Sequence, residues 1–272
     1  MSINRIKVAF YFFFGTKNGV TFKEFLNYFF AGSYSQKAAI CIDKIEEGHE
    51  NNTIYIKRCP KPIFYPKMFP INLLNQVIVE TLYSDNWHYY EIPQTFVNKN
   101  DIVVDCGAAE GLFSLLVSPR CKKLYIIEPL PVFIKCLEET FETNDNVEIL
   151  PLAISDIEAN ARLSINGISS NLVNEGNGID VTVTTLDKLF YEKEIPITYI
   201  KIDLEGHDYK AIKGAEELIR KNKPKIAITT YHNPEHEQQI RIYLKSIVPE
   251  YNILSKGIYQ NNGSFVMLHA WI

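Results

Sequence analysis

Six ionisable side chains stand where short apolar runs end. Asp105 closes Ile102-Val-Val104 and opens a glycine-punctuated turn, Asp105-x-Gly107-x-x-x-Gly111, after which helix-like apolar spacing begins. Glu128 closes Lys123-Leu-Tyr-Ile-Ile127, and Asp203 closes Ile197-Thr-Tyr-Ile-Lys-Ile202 with Glu205 and His207 just beyond it. His232 follows Ala227-Ile-Thr-Thr-Tyr231. Apolar runs of this length, each leading into a turn and a helix, are the buried strands of a parallel sheet. Open sheets of that kind bind ligands in the crevice beyond the carboxyl ends of the strands, so these polar groups converge on one edge. An acid at the end of the second strand is placed to accept hydrogen bonds from a ribose diol, which is the role expected of Glu128. Taking a proton from a hydroxyl needs a base that titrates near neutrality. His232 is the first candidate, with Asp203 and His207 beside it.

The loop discriminates among nucleotides. A dinucleotide site uses Gly-x-Gly-x-x-Gly so that the backbone can crowd a pyrophosphate, but Ala109 stands at the second glycine position here. The acid that leads the loop repels phosphate and tolerates a cation. The pattern resembles the first motif of the S-adenosylmethionine-dependent methyltransferases, whose donor carries a sulfonium and an amino group and no phosphate. That resemblance implies donor contacts from Asp105, Gly107, Ala108, Glu110 and Gly111 in the loop and from Glu128. It also implies Ala153 at the adenine and Asp203 at the amino group or at the acceptor. Asp203 beside His232 could also ligate a divalent metal. No dense carboxylate cluster at ligand spacing accompanies them, and metal ligands are not assigned.

Bulk properties narrow the partners. With 28 basic and 32 acidic residues the 272-residue chain carries a net charge of −4, which disfavours a broad nucleic-acid footprint. Cys41, Cys59, Cys106, Cys121 and Cys136 are scattered, with no Cys-x-x-Cys pair, so free thiols in a cytoplasmic protein are expected. The apolar run 8–14 is too short to cross a membrane, and no small-residue cleavage site follows it. The length allows one α/β domain and an appendage, divided as a cap or interaction region over 1–95 and a donor-binding domain over 96–272.

Within the first part, 20–31 reads as an aromatic helix, 53–57 as a strand, 60–70 as a proline-rich break and 71–83 as a helix. Its aromatics are expected to pack on the main domain and offer a surface for self-association. Beyond it, a helix opens at Pro129 and Pro131, the third strand runs over 147–154, and 162–165 forms a short strand. The Asn-, Ser- and Gly-rich stretch 160–178 is expected to hold a mobile loop. The residues after Asp203 give one helix through 219. Two final strands, 251–258 and 265–271, form a hairpin around Asn261-Asn-Gly263.

Lys201-Ile-Asp-Leu-Glu-Gly-His-Asp208, continued by Lys213-Gly-Ala215, occurs with Val183-Thr-Thr-Leu-Asp187 and Leu152-Ala-Ile-Ser-Asp156 upstream. In combination these segments resemble the FkbM family of methyltransferases over roughly residues 91–232. The resemblance implies a Rossmann-like class I methyltransferase fold: a mostly parallel seven-stranded sheet with a C-terminal antiparallel hairpin, preceded here by an α+β cap. It also implies S-adenosyl-L-methionine as donor and O-methylation of a hydroxyl on a sugar, polysaccharide precursor or secondary metabolite. Thr230 stands near where many members carry a glutamate, so no role is carried over for that acid. A catalytically silent donor-binding scaffold and an N-methyltransferase remain as alternatives. A nicotinamide oxidoreductase is disfavoured by the missing glycine.

Overall fold

The computed structural model describes residues 3–164, 171–173 and 178–272. Helices α1 (Ile3–Phe14), α2 (Phe22–Phe30) and α3 (Tyr34–Cys41) come first. An antiparallel sheet of β1 (Ile42–Glu46), β2 (Asn51–Ile56) and β3 (Ile63–Pro66) follows, and then α4 (Ile71–Leu82). Strand and helix now alternate through β4 (Ile102–Cys106), α5 (Leu112–Val117), β5 (Lys123–Ile127), α6 (Pro131–Phe141) and β6 (Val147–Leu150). A smaller sheet collects β7 (Ala153–Ile154), β8 (Ala159–Ser164), β9 (Asn171–Val173) and β10 (Ile179–Thr184). The chain finishes with β11 (Tyr199–Ile202), α7 (Asp208–Lys213), α8 (Glu216–Asn222), β12 (Lys225–Thr229), α9 (His236–Ile247), β13 (Asn252–Lys256) and β14 (Met267–Trp271).

The principal sheet has seven strands in the order β13-β14-β12-β11-β4-β5-β6. Its neighbours are parallel from β12 to β6, while β14 runs antiparallel to both β12 and β13. Successive strand residues point to opposite faces, and both faces are buried. Val103, Leu124, Ile126 and Tyr199 face a core shared with α4, α5 and α6, and Ile54, Ile63 and Tyr65 of the first sheet join that core. Val104, Ile200, Ile202 and Ile228 face the opposite core, built with α7, α8 and α9. The aromatics of the first third thus pack partly on the helices that flank the main sheet, as Phe69 does against Phe133 of α6. A second set, Ile3, Ile6, Phe10, Phe13 and Phe14 of α1, is exposed. Among the described residues no helix is long and apolar enough to cross a membrane.

Four expectations need correction. The proline-rich segment 60–70 contains β3, because its prolines fall outside the strand or at its last residue, where a missing N–H is tolerated at a sheet edge. The run 147–154 is two strands: Pro151 interrupts it, and Ala153–Ile154 leaves the main sheet to pair with β10. The single helix after Asp203 is also two, α7 and α8, broken at Gly214 and Ala215. A Cβ at Gly214 would lie 2.1 Å from the Ser155 carbonyl oxygen, so the break lets that loop approach. The short strand spans Ala159–Ser164, beginning three residues and ending one residue before the expected 162–165. Residues 165–170 and 174–177 of the Ser- and Gly-rich stretch lie outside the described residues.

Candidate active site

Two loops at the carboxyl edge of the sheet touch each other. The first leaves β4, with Gly107, Ala109 and Gly111 all at positive φ, and the second leaves β11, with Glu205 and Gly206 at positive φ. A Cβ at Gly107 would sit 2.0 Å from the Asp203 carbonyl oxygen, so this glycine allows the loops to meet. Ala109 and Glu205 adopt the left-handed conformation despite their side chains, at φ 48° and 50°. Strain of this kind persists only where surrounding structure fixes it, and it gathers at ligand sites.

Two cavities open here, and Gly107, Ala109, Asp203 and Glu205 border both. The smaller, about 70 Å³, is an apolar slot formed in part by Leu130, Phe133, Ala153 and Leu163, with Glu128 and His207 on its wall. The larger, about 810 Å³, is lined by Ala108, Glu110, Asp203 and His232, and also by His88 and Tyr90 from the chain before β4. Gly111 and Asp105 border neither of these two cavities.

Glu128 is gripped at both oxygens: Ala109 N–H donates to Oε2 and Leu130 N–H to Oε1, each at 2.9 Å. Burial nevertheless dominates and pushes its pKa up to about 7. Glu110 is also buried and held up to about 7, chiefly by burial. Asp105 is fully buried, with Lys201 Nζ 2.9 Å from Oδ1 and the Ser114 hydroxyl donating to Oδ2 at 2.7 Å. Lys201 also donates to the Gly107 carbonyl at 2.7 Å. Burial opposes the lysine's charge, but Asp105 and Asp203 raise its pKa above the ordinary value. The expectation of a bare acid facing a cationic ligand therefore does not describe Asp105, whose charge is matched inside the protein.

Asp203 is the hub of the larger cavity. Tyr90 donates its hydroxyl to Oδ2 at 2.7 Å and Thr229 donates to Oδ1 at 3.1 Å. His88 Nε2 lies 3.7 Å from Oδ2, and His232 Nε2 lies 3.9 Å from Oδ1. His232 faces carboxylates on both sides, with Nδ1 3.3 Å from Asp208 Oδ2 and Nε2 3.2 Å from Glu205 Oε2. Burial alone would lower its pKa, yet Asp208, Glu205 and Asp203 together hold it up to about 11. This corrects the premise of an unperturbed imidazole at this position: His232 is held as a cation in the neutral range. Asp208 is fully buried and accepts from Leu204 N–H at 2.9 Å and Gly206 N–H at 3.0 Å, while the Thr229 hydroxyl, 3.0 Å away, has a single proton to share between Asp208 and Asp203. His207 borders the smaller slot only, and burial lowers its pKa.

Sequence reasoning missed His88, Tyr90 and Glu80. His88 and Tyr90 belong to a segment without periodic pattern, Glu80 sits on α4, and nothing in their spacing announces that Asp203 is their neighbour. The aromatic cluster Trp87-His-Tyr-Tyr90 was the one available signal.

The strand order, with an antiparallel strand inserted beside the last parallel one, is that of the class I methyltransferase fold. A model of the methyltransferase FkbM domain matches residues 105–255, more than half of the chain. The chain belongs to this family, whose methyl donor is S-adenosylmethionine. Its fold is similar to the crystal structure of methyltransferase FkbM from Methylobacillus flagellatus KT, with 21% identity and a TM-score of 0.52. That similarity covers 71% of this chain and 47% of the other, so the present chain spans under half the length of that relative. A putative methyltransferase from Streptococcus mutans in complex with SAH aligns more loosely, with 14% identity, a TM-score of 0.42, and coverage of 64% and 90%. No curated protein matches the chain significantly. The residues present fit the donor chemically: an apolar slot is bordered by a carboxylate, Glu128, whose oxygens retain unshared lone pairs.

Proposed function

We propose that the protein transfers the methyl group of S-adenosylmethionine to a hydroxyl of a carbohydrate or carbohydrate-linked acceptor. The observation that carries this reading is the pair of cavities meeting at Gly107, Ala109, Asp203 and Glu205. One side suits the donor's nucleoside, and the other is large, polar and aromatic. When bound, the donor supplies an electrophilic methyl on a sulfonium, whose carbon–sulfur bond breaks as the oxygen–carbon bond forms. Glu128 receives the ribose hydroxyls, Ala153 and Leu163 border the base, and Gly107, Ala108 and Glu110 hold the donor's methionine end. Asp105 acts beneath the loop, through Lys201.

On the acceptor side, Tyr28 stacks on Trp87 with centroids 4.7 Å apart, and Tyr231 packs against Tyr259 at 4.6 Å with the rings tilted by 38°. All four border the larger cavity, together with the amides of Asn27, Asn86 and Gln260. Aromatic faces beside hydrogen-bonding amides suit the alternating C–H and O–H surfaces of a sugar ring. The acceptor hydroxyl gives its proton to His88, whose ring nitrogens have no hydrogen-bond partner among the described residues. Asp203 Oδ2 at 3.7 Å and Glu80 Oε2 at 3.9 Å steady the imidazolium that results. Aligning acceptor and methyl donor contributes on the order of 7 kcal/mol in favourable cases.

Formation of S-adenosylhomocysteine with free hexoses, nucleoside-diphosphate sugars and oligosaccharides tests this reading, with the methylated atom assigned by NMR. A methyl ether is expected. His88→Gln should keep donor affinity and lower kcat by about 10²-fold or more. An N-methyl product would contradict the acceptor class, and unchanged kcat would remove His88 from the chemistry.

A further inference from the structure

Asp203, Glu205, Asp208 and Glu80 form a group of carboxylates whose only ion-pair partners among the described residues are imidazoles: His88, His232 and His236. No lysine or arginine reaches them within that set. His232 stands at the centre. Its side chain is 9% exposed, and its Nε2 has no hydrogen-bond partner while pointing between Glu205 Oε2 at 3.2 Å and Asp203 Oδ1 at 3.9 Å. Its Nδ1 is turned to Asp208. His88 is a second buried imidazole, 5% exposed, with both nitrogens unpartnered and one directed at the other oxygen of Asp203.

An imidazole held by a carboxylate at one nitrogen, with the other aimed at two further carboxylates, is the arrangement of a metal-ligating histidine and its orienting partner. Ligands at the usual 2.0–2.2 Å around one ion stand about 3 Å apart. Asp203, Asp208 and His232 each offer a ligand atom within 4.8 Å of the others, and Glu205 Oε2 adds a further oxygen 3.2 Å from the imidazole nitrogen. We propose that Asp203 Oδ1, Glu205 Oε2 and His232 Nε2 form a divalent-cation site in the wall of the acceptor cavity, with Asp208 orienting the imidazole and the cation taking the place of the proton that these carboxylates otherwise hold on Nε2. Two carboxylates and one imidazole suit Mn²⁺ or Mg²⁺ better than a thiophilic ion. All three ligands border the larger cavity, so the remaining coordination positions face the place proposed for the acceptor hydroxyl. A cation there would stabilise negative charge growing on that oxygen. This role rests on the methyltransferase reading, whereas the binding site itself does not.

The test is Mn²⁺ titration of the EDTA-treated, dialysed full chain without donor or acceptor, with free Mn²⁺ read by its EPR signal. One equivalent should bind, and Glu205→Gln and His232→Gln should each weaken binding by tenfold or more. Glu205 is the more exposed ligand, so its variant guards against loss of fold, which donor titration in EDTA checks separately. Binding of less than a tenth of an equivalent at millimolar Mn²⁺, or wild-type affinity in both variants, would overturn the site. Donor binding without Mn²⁺ binding would sink this inference and leave the methyltransferase reading standing. Mn²⁺ binding without donor binding would do the reverse.

Discussion

Glu110 and Glu128 are carboxylates whose ionisation the fold resists, and each has a stated consequence. Burial raises the folded pKa of Glu110 to about 7, above the ordinary value of 4.5, and leaves Oε2 without a hydrogen-bond partner. Between those values the folded state binds more protons than the unfolded one, so this group's contribution falls as pH rises from 4.5 through 7. Glu110→Gln removes that dependence. Its stability relative to wild type should climb over this window by roughly 3 kcal/mol and level off above pH 7–8. Urea denaturation of the apo protein at several pH values measures it, and a pH-independent difference would contradict the burial argument. Asp203 and Glu128 were legible in the sequence because an acid ending a buried apolar run has few other reasons to be there. The state of His232 was not legible, since Asp208 lies 24 positions away and becomes its partner only through folding.

At the scale of elements, the β4–β11 pair is locked by a buried charge. Val104 and Asp105 pair in parallel with Ile200 and Lys201, and Lys201 and Asp105 are side by side, their side chains 4% and 1% exposed. Removing one partner leaves the other uncompensated, at a cost of about 3–5 kcal/mol. Lys201→Met should therefore destabilise the protein by that order, and Asp105→Asn added to it should recover a substantial part. Chemical denaturation of the single and double variants decides this, with additive losses as the contrary result. The parallel strands, the helix α6 and the final hairpin could be read from period and turn chemistry. The division of 147–154 and of the segment after Asp203 could not. In the second case the cause is Ser155, a tertiary neighbour pressing on Gly214 from the loop that follows β7.

Over the whole molecule, the first third of the chain contributes to the main core and also supplies His88, Tyr90, Tyr28 and Trp87 to the larger cavity. Sequence pattern reached the edge proposed for the donor because strand ends and a glycine turn mark it. The side proposed for the acceptor draws on α2, α4 and the aperiodic stretch after α4, and no local pattern encodes their folding over that edge. The central claim is that this edge holds S-adenosylmethionine through Glu128. Calorimetric titration at pH 8 with S-adenosylmethionine and S-adenosylhomocysteine, with NADH as control, tests it most directly on wild type and Glu128→Gln. In the variant an amide NH₂ must face one of the two backbone donors that now grip the carboxylate. One-to-one micromolar binding of both sulfur compounds, no NADH binding and at least tenfold weaker binding by the variant are predicted. Failure of wild type to bind either compound, or equal affinity in the variant, would contradict the account.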